Sequence, residues 1–247
     1  MKLLSLRLAL LTFAAVVRAW ADAPADEAEG QALALELRTA RPPASFTNRG
    51  TLRITSPEGI VRRVPVTITT LADADAEWRV IYAAQVGLNL ESLSLVRRLA
   101  RPPEFEFARA VTNTVLPVAK TIPAEETQQP FAGSDFWLSD LGLEFLHWPD
   151  QKILRRDKPE MRKGRPCRVL ESNNPKAKGY TRVRSWVDLE NKGVILAEAF
   201  DSTGKLIKRF SVGSVQKVDG EWQLKDMEMI DEVRGSETRL EFDLRMK

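Results

Sequence analysis

The sequence predicts a mainly β protein (α+β): a single antiparallel sheet wide enough to curl, with few helices to cover it. Two observations carry this. From Tyr180 to Leu244, segments rich in β-branched, aromatic or alternating residues are separated by the turn signals Glu190-Asn191-Lys192-Gly193, Asp201-Ser202-Thr203-Gly204 and Asp219-Gly220. Asn, Asp and Gly tolerate the left-handed backbone of tight hairpin turns, so this spacing reads as an antiparallel meander. Along the whole chain about ten strand-like segments stand against few helical ones, enough for a sheet wide enough to curl.

Taken in order, Asp26 to Thr39 places Ala28, Leu33, Leu35 and Leu37 on or near one apolar stripe and ends before Pro42, as an amphipathic helix does. Ser45 to Thr55 carries Phe46, Leu52 and Ile54; Ile60 to Thr70 alternates Val64, Val66 and Ile68; Trp78 to Tyr82 continues a first meander. Pro65 has no N–H to give a ladder, which predicts an edge position or a bulge for its strand. Gly87 to Leu99 fits neither the strand nor the helix period strictly and is read as helix. Phe105 to Val118, Gln151 to Arg156 and Pro166 to Glu171 are expected strands. The breaks at Arg41-Pro42-Pro43, Arg101-Pro102-Pro103 and Ile122-Pro123 mark turns, and no Ser/Gly linker divides the chain.

At the start, Lys2 and Arg7 precede or enter an apolar segment running to Val17, and Ala19-Trp20-Ala21 puts small residues at the two positions a signal peptidase reads. This predicts a signal peptide over residues 1–21 and one domain over residues 22–247; Arg18 beside the cleavage site leaves an uncleaved anchor as the alternative. No cysteine follows that site, so the product is expected in the periplasm without a lipid anchor. Lys2, Arg7 and Arg18 carry the whole formal charge of +3. The remainder is balanced, and its interspersed charges give no footprint for nucleic acid or anionic membrane despite a pI near 9.0.

The inventory of chemistry is thin. His147 and Cys167 are each the only residue of their type. That excludes a histidine-rich zinc site and an internal disulfide, and each is read as a packed side chain rather than a general base or nucleophile. There is no phosphate-binding glycine loop, no CxxC pair and no calcium loop. Asp135 and Asp140 lie close in sequence, as paired glycosidase carboxylates could, but Ser134 or Asp135 is read as capping a helix that opens near Phe136. No catalytic residue, metal or cofactor is expected.

The segment Phe131 to Trp148, FAGSDFWLSDLGLEFLHW, is too apolar for an exposed loop. Apolar composition alone fits equally a plug that fills the sheet as core and the wall of a cavity.

The order Trp186-Val187-Asp188, Ala199-Phe200-Asp201 with Gly204-Lys205-Leu206, Lys217-Val218-Asp219-Gly220-Glu221-Trp222 and Met227-Glu228-Met229 resembles the outer-membrane lipoprotein-sorting protein family, which includes LolA-like and LolB-like periplasmic carriers. Gly133-Ser134-Asp135-Phe136 and Gly164-Arg165-Pro166-Cys167 extend the likeness upstream. The resemblance implies a single curved sheet forming an incomplete β-barrel, with helices or a lid packed on its concave face, and a non-enzymatic carrier or chaperone that holds the acyl chains of lipoproteins or lipids in a hydrophobic cavity for transfer toward the outer membrane, between an inner-membrane transporter and an outer-membrane acceptor. It also places the Gly-Ser-Asp-Phe segment against the concave face, which makes Phe136, Trp137, Leu138, Leu141, Phe145 and Trp148 candidate ligand-binding residues. Trp186, Phe200, Phe210 and Leu224 are the candidates from the meander. The N-terminal half matches poorly, so the family's cargo-gripping arginine is not assigned to Arg49, Arg53, Arg62 or Arg63. Two further readings share the fold: a module that senses lipids or lipoproteins for a signalling partner, and an interaction domain whose concavity is filled.

Overall fold

The computed structural model describes residues 25–72, 77–99, 101–111, 119–154, 158–218 and 221–244. The expected leader and its cleavage site, residues 112–118, Arg155, Arg156 and the Asp219-Gly220 turn lie outside them.

Among the described residues sixteen strands and two α-helices follow one another. Helix α1 (Ala25–Thr39) precedes β1 (Phe46–Thr55), β2 (Val61–Ala72), β3 (Glu77–Val86), β4 (Asn89–Arg98), β5 (Glu104–Val111) and β6 (Lys120–Ile122). A short α2 (Leu138–Gly142) and a 3-10 turn (Glu144–His147) lead to β7 (Asp150–Leu154), β8 (Glu160–Arg162) and β9 (Arg165–Asn173). The meander supplies β10 (Arg182–Asp188), β11 (Val194–Phe200), β12 (Leu206–Val212), β13 (Val215–Val218), β14 (Glu221–Leu224), β15 (Asp226–Asp231) and β16 (Ser236–Phe242). All but β13 and β14 form one 14-stranded antiparallel sheet, ordered β6-β5-β4-β3-β2-β1-β16-β15-β12-β11-β10-β9-β7, with β8 beside β9. It curves but does not close, and β13–β14 is a separate hairpin.

The segment read as helix, Gly87 to Leu99, is strand β4. Leu93 and Leu95 point inward, while Val96 on the other face is buried between its cross-strand neighbours Arg79 and Glu104. A strand with apolar residues buried on both faces loses the alternation that marks it in a sequence. Pro65 likewise sits within the sheet rather than at its edge. The β2–β3 ladder starts at Val66 opposite Ala84, so Pro65 pairs only with Thr51 of β1 and needs no donor toward β3.

Helix α1 buries Gly30, Leu33 and Ala34, with Leu37 half-buried one turn on, whereas Ala28 and Leu35 of the expected stripe are exposed. Position 30 explains the rotation: a Cβ there would lie 2.5 Å from the Gln151 carbonyl oxygen, so the helix rests its glycine directly on the backbone of β7.

Candidate functional site

Alternation along the paired strands defines which side chains share the concave face. Val183 on β10, Ala197 and Ala199 on β11, Lys208 and Phe210 on β12, and Met227 and Met229 on β15 lie in cross-strand register there. Tyr82 of β3 pairs with Leu93, and Trp78 pairs with Arg97 of β4, which puts Tyr82 and Arg97 on the same inner face at the other side of the sheet.

The segment 127–148 lies across this face and is fastened to it by buried hydrogen bonds. Asp135, 2% exposed, donates its N–H to Thr238 Oγ1 (2.9 Å), and its carboxylate accepts from Thr238 (2.7 Å), Ser236 (2.6 Å) and Arg234 (3.0 Å). Ala132 N–H donates to Glu91 Oε2 at 2.8 Å, and Arg62 Nη2 donates to the carbonyls of Ala132 and Gly133 at 3.2 and 3.0 Å. Ala132 and Gly133 both take left-handed backbone, with φ of 55° and 66°, which turns the chain onto the sheet. Neither Ser134 nor Asp135 caps a helix, contrary to the sequence reading. Helix α2 starts later, and Asp140 accepts from the Trp137 N–H at 2.8 Å. The Asp135 carboxylate is instead committed to β16 and the turn before it.

A second anchor joins β12 to α2. Lys208, 2% exposed, donates to the Asp135 carbonyl (2.7 Å) and Asp140 Oδ2 (2.8 Å), and its ammonium sits 3.6 Å from the centre of the Trp137 ring. The Tyr180 hydroxyl donates to Asp140 Oδ1 at 2.7 Å, and Trp137 stacks on the Tyr180 ring with centroids 5.5 Å apart. Burial pushes the Lys208 ammonium down, opposed by Asp140, and pushes the Tyr180 phenol well up, reinforced by the Asp140 charge.

Between α2, the 3-10 turn and the sheet remains a cavity of about 390 Å³. Four predicted ligand-binding residues line it: Phe136, Leu141 and Phe145 from the segment and Phe210 from β12. Ala197, Ala199, Met227 and Met229 add apolar wall, and Leu37, Lys192, Gly193 and Val194 form its rim near the β10–β11 turn, where Lys192 is exposed. Three more candidates support this wall without facing the cavity. Leu138 is fully buried in the core cluster with Phe131, Trp137 stacks on Tyr180, and Trp148 packs against Tyr180 at 5.8 Å.

Three candidates are elsewhere. Trp186 and Phe200 lie on the convex face, where Trp186 Nε1 donates to Glu160 (2.9 Å) beneath Arg162 and Phe200 lies 4.5 Å below Arg182. Leu224 belongs to the β13–β14 hairpin, off the sheet. A period of two groups residues by face but does not say which face is concave, and the turn lengths around β13 and β14 do not reveal that they leave the sheet. Sequence reasoning also missed Tyr82, Arg97, Tyr180 and Lys208. A lysine or arginine within a strand carries no local mark of facing inward.

His147 and Cys167 occupy opposite sides of the sheet. His147 is on the 3-10 turn above the concave face, where burial and the charges of Arg38 and Arg97 lower its imidazole to about 4. Cys167 is buried in the cluster of Trp186 and Val169, with burial pushing its thiol up, so no dyad forms between them. No group of three or more His, Cys, Asp or Glu able to hold a metal is present among the described residues, nor is any helix there long and apolar enough to cross a membrane.

The open antiparallel sheet superposes on solved structures that carry lipoprotein-sorting and LolA-superfamily designations. A domain from Vibrio parahaemolyticus designated outer membrane lipoprotein-sorting protein superposes with a TM-score of 0.69 at 19% identity, over 89% of this chain and 92% of that one. A DUF1329 family protein from Desulfovibrio piger gives 0.69 at 18% identity, over 88% and 91%. A LolA superfamily protein from Nitrosomonas europaea gives 0.55 at 15% identity, over 90% and 93%. A family model described as "Uncharacterized protein" matches residues 116–245, more than half of the sequence, and the chain belongs to that family. The search of curated proteins found no match.

Proposed function

We propose that the protein is a periplasmic carrier or chaperone that takes the acyl chains of lipoproteins or lipids into the cavity between its sheet and α2, for transfer toward the outer membrane. The observation that carries this reading is the apolar cavity itself, at about 390 Å³. Ligand sites commonly measure about 300–1,000 Å³. An acyl chain in water loses about 0.8 kcal/mol for each exposed methylene, so a dry wall of Phe136, Leu141, Phe210 and Met229 is what such cargo needs. The fold shared with lipoprotein-sorting structures supports the same reading.

In this reading residues 1–21 are a cleaved signal peptide and residues 22–247 one LolA/LolB-like domain without a lipid anchor. The protein is not an enzyme and uses no cofactor; an inner-membrane transporter and an outer-membrane acceptor are its partners. The test is to express the full chain in a Gram-negative host, recover the periplasmic protein, identify copurifying molecules by mass spectrometry and titrate it with the neutral apolar probe N-phenyl-1-naphthylamine. A stoichiometric acylated molecule, and probe binding that Ala197→Phe abolishes without lowering the melting temperature, are expected. A ligand-free protein that ignores the probe would overturn the proposal in favour of a filled interaction domain.

A further inference from the structure

Three cations line the cavity: Lys192 at its exposed rim, 3.9 Å from Glu36, and the less exposed Lys208 and Arg97, and of these last two only Lys208 is neutralised. Lys208 is saturated: the Asp135 carbonyl, the Asp140 carboxylate and the Trp137 ring surround its ammonium, and Tyr180 takes the other oxygen of Asp140. The Lys208 ammonium is thereby committed to the protein's own groups. Arg97 is different. Its hydrogen bond runs from Nη2 to the neutral carbonyl of Gly142 at 2.9 Å, and among the described residues no carboxylate pairs with it. The neighbouring His147 adds no charge there, because burial and the charges of Arg38 and Arg97 disfavour its proton.

Tyr82 lines the same cavity wall as Arg97, and the two groups act on each other electrostatically. Its ring meets Phe131 edge-on at 6.1 Å, and among the described residues its hydroxyl has no hydrogen-bond partner. Burial pushes this phenol up, so it stays protonated and is a donor. Burial also pushes the Arg97 guanidinium down, the mark of a charge taken from water without an anion in exchange. A guanidinium keeps its charge in such a setting and presents donors in a planar fork suited to oxyanions.

We infer that Arg97 and Tyr82 bind the single oxyanion, carboxylate or phosphate, of an amphiphile whose apolar chain fills the cavity. The inference rests on the carrier reading above and adds to it the charge of the cargo. The chain runs over Phe136, Leu141, Phe210 and Met229, while the oxyanion accepts from the Arg97 fork and the Tyr82 hydroxyl. A neutral chain fits the same wall but leaves both donors unanswered, so the site discriminates by charge.

The experiment uses delipidated protein loaded with N-phenyl-1-naphthylamine, displaced by palmitate, palmitoyl phosphate or the neutral hexadecanol. With wild type, at least one anion is expected to displace the probe at a concentration about 10-fold lower than hexadecanol, the scale of a charge-assisted hydrogen bond. Arg97→Gln is expected to erase that difference while leaving hexadecanol unchanged, with Arg97→Lys and Tyr82→Phe intermediate. Whichever anion is tighter identifies the source as a carboxylate or a phosphate. Equal displacement by all three ligands in wild type would overturn the inference and leave the carrier reading standing, whatever the variants do. Failure of the probe itself to bind would remove the carrier reading and the inference with it.

Discussion

The two sides of the concave face meet the same inserted segment and end in different states. Over β1 to β5 the segment supplies Phe131, Phe136 and Leu138 to a closed core with Leu52, Val64, Leu93 and Leu95. Over β10 and β11 Phe145, Leu146 and Trp148 of the segment pack with Val183, Val187, Ala197 and Ala199, yet a cavity remains above Ala197, Ala199 and Phe210. The cause is visible in the side chains of the sheet: the first side presents leucine, valine and isoleucine, whereas β11 presents two alanines. Anchoring the segment at Asp135 and Lys208 fixes its height, so small residues beneath it become empty space instead of drawing it closer. Cavity and plug are therefore one device, in which rigidity at one place preserves volume at another.

The sharpest way to break this contrast is to truncate one phenylalanine on each side. Phe131→Ala, at 1% exposure, should cost about 3–5 kcal/mol in urea unfolding, and Phe210→Ala clearly less, because its ring already borders open volume. Equal losses would mean that the cavity is collapsed in solution. Next in size, Asp135→Ala strips an acceptor from Thr238, Ser236 and Arg234 and should cost about 3 kcal/mol. If the anchor sets the height of the segment, this variant also loses its affinity for N-phenyl-1-naphthylamine; retained affinity in a folded variant would detach the anchor from the cavity.

The smallest effect is a pH dependence. His147 is held at about 4 against an ordinary 6.5, so between these values the unfolded chain binds a proton that the folded protein refuses. Stability from this source is fully present above pH 6.5 and is lost as the pH falls toward 4. His147→Gln should flatten that part of a melting-temperature profile, and an unchanged slope would mean that the imidazole is solvated.

Much of the fold was legible because its signals are local. Asp201 to Gly204 forms its turn with Gly204 at φ of 86°, and the Glu190 to Gly193 turn also forms, although Lys192 rather than the glycine takes positive φ, at 54°. The apolar segment lies against the sheet, and three of its candidate residues, Phe136, Leu141 and Phe145, line the cavity together with Phe210 of β12. What stayed hidden depends on partners far away in sequence. Val96 disguised β4 because its cover comes from other strands. Asp135 looked like a cap because Thr238 lies 103 residues off. Trp186 and Phe200 were misplaced because alternation has no sign, and Arg97 was overlooked because its lack of a counter-charge exists only once the sheet has formed.

The position of β16 has a consequence for the order of events during folding. It lies inside the sheet, bonded to β1 on one side and β15 on the other, so it is the seam between the first six strands and the meander. Until β16 is available the chain holds two separate sheets, each with an exposed edge where the other belongs. Contacts so distant in sequence form slowly, and unpaired edges invite association. A chain of this topology is most vulnerable until β16 has docked between β1 and β15.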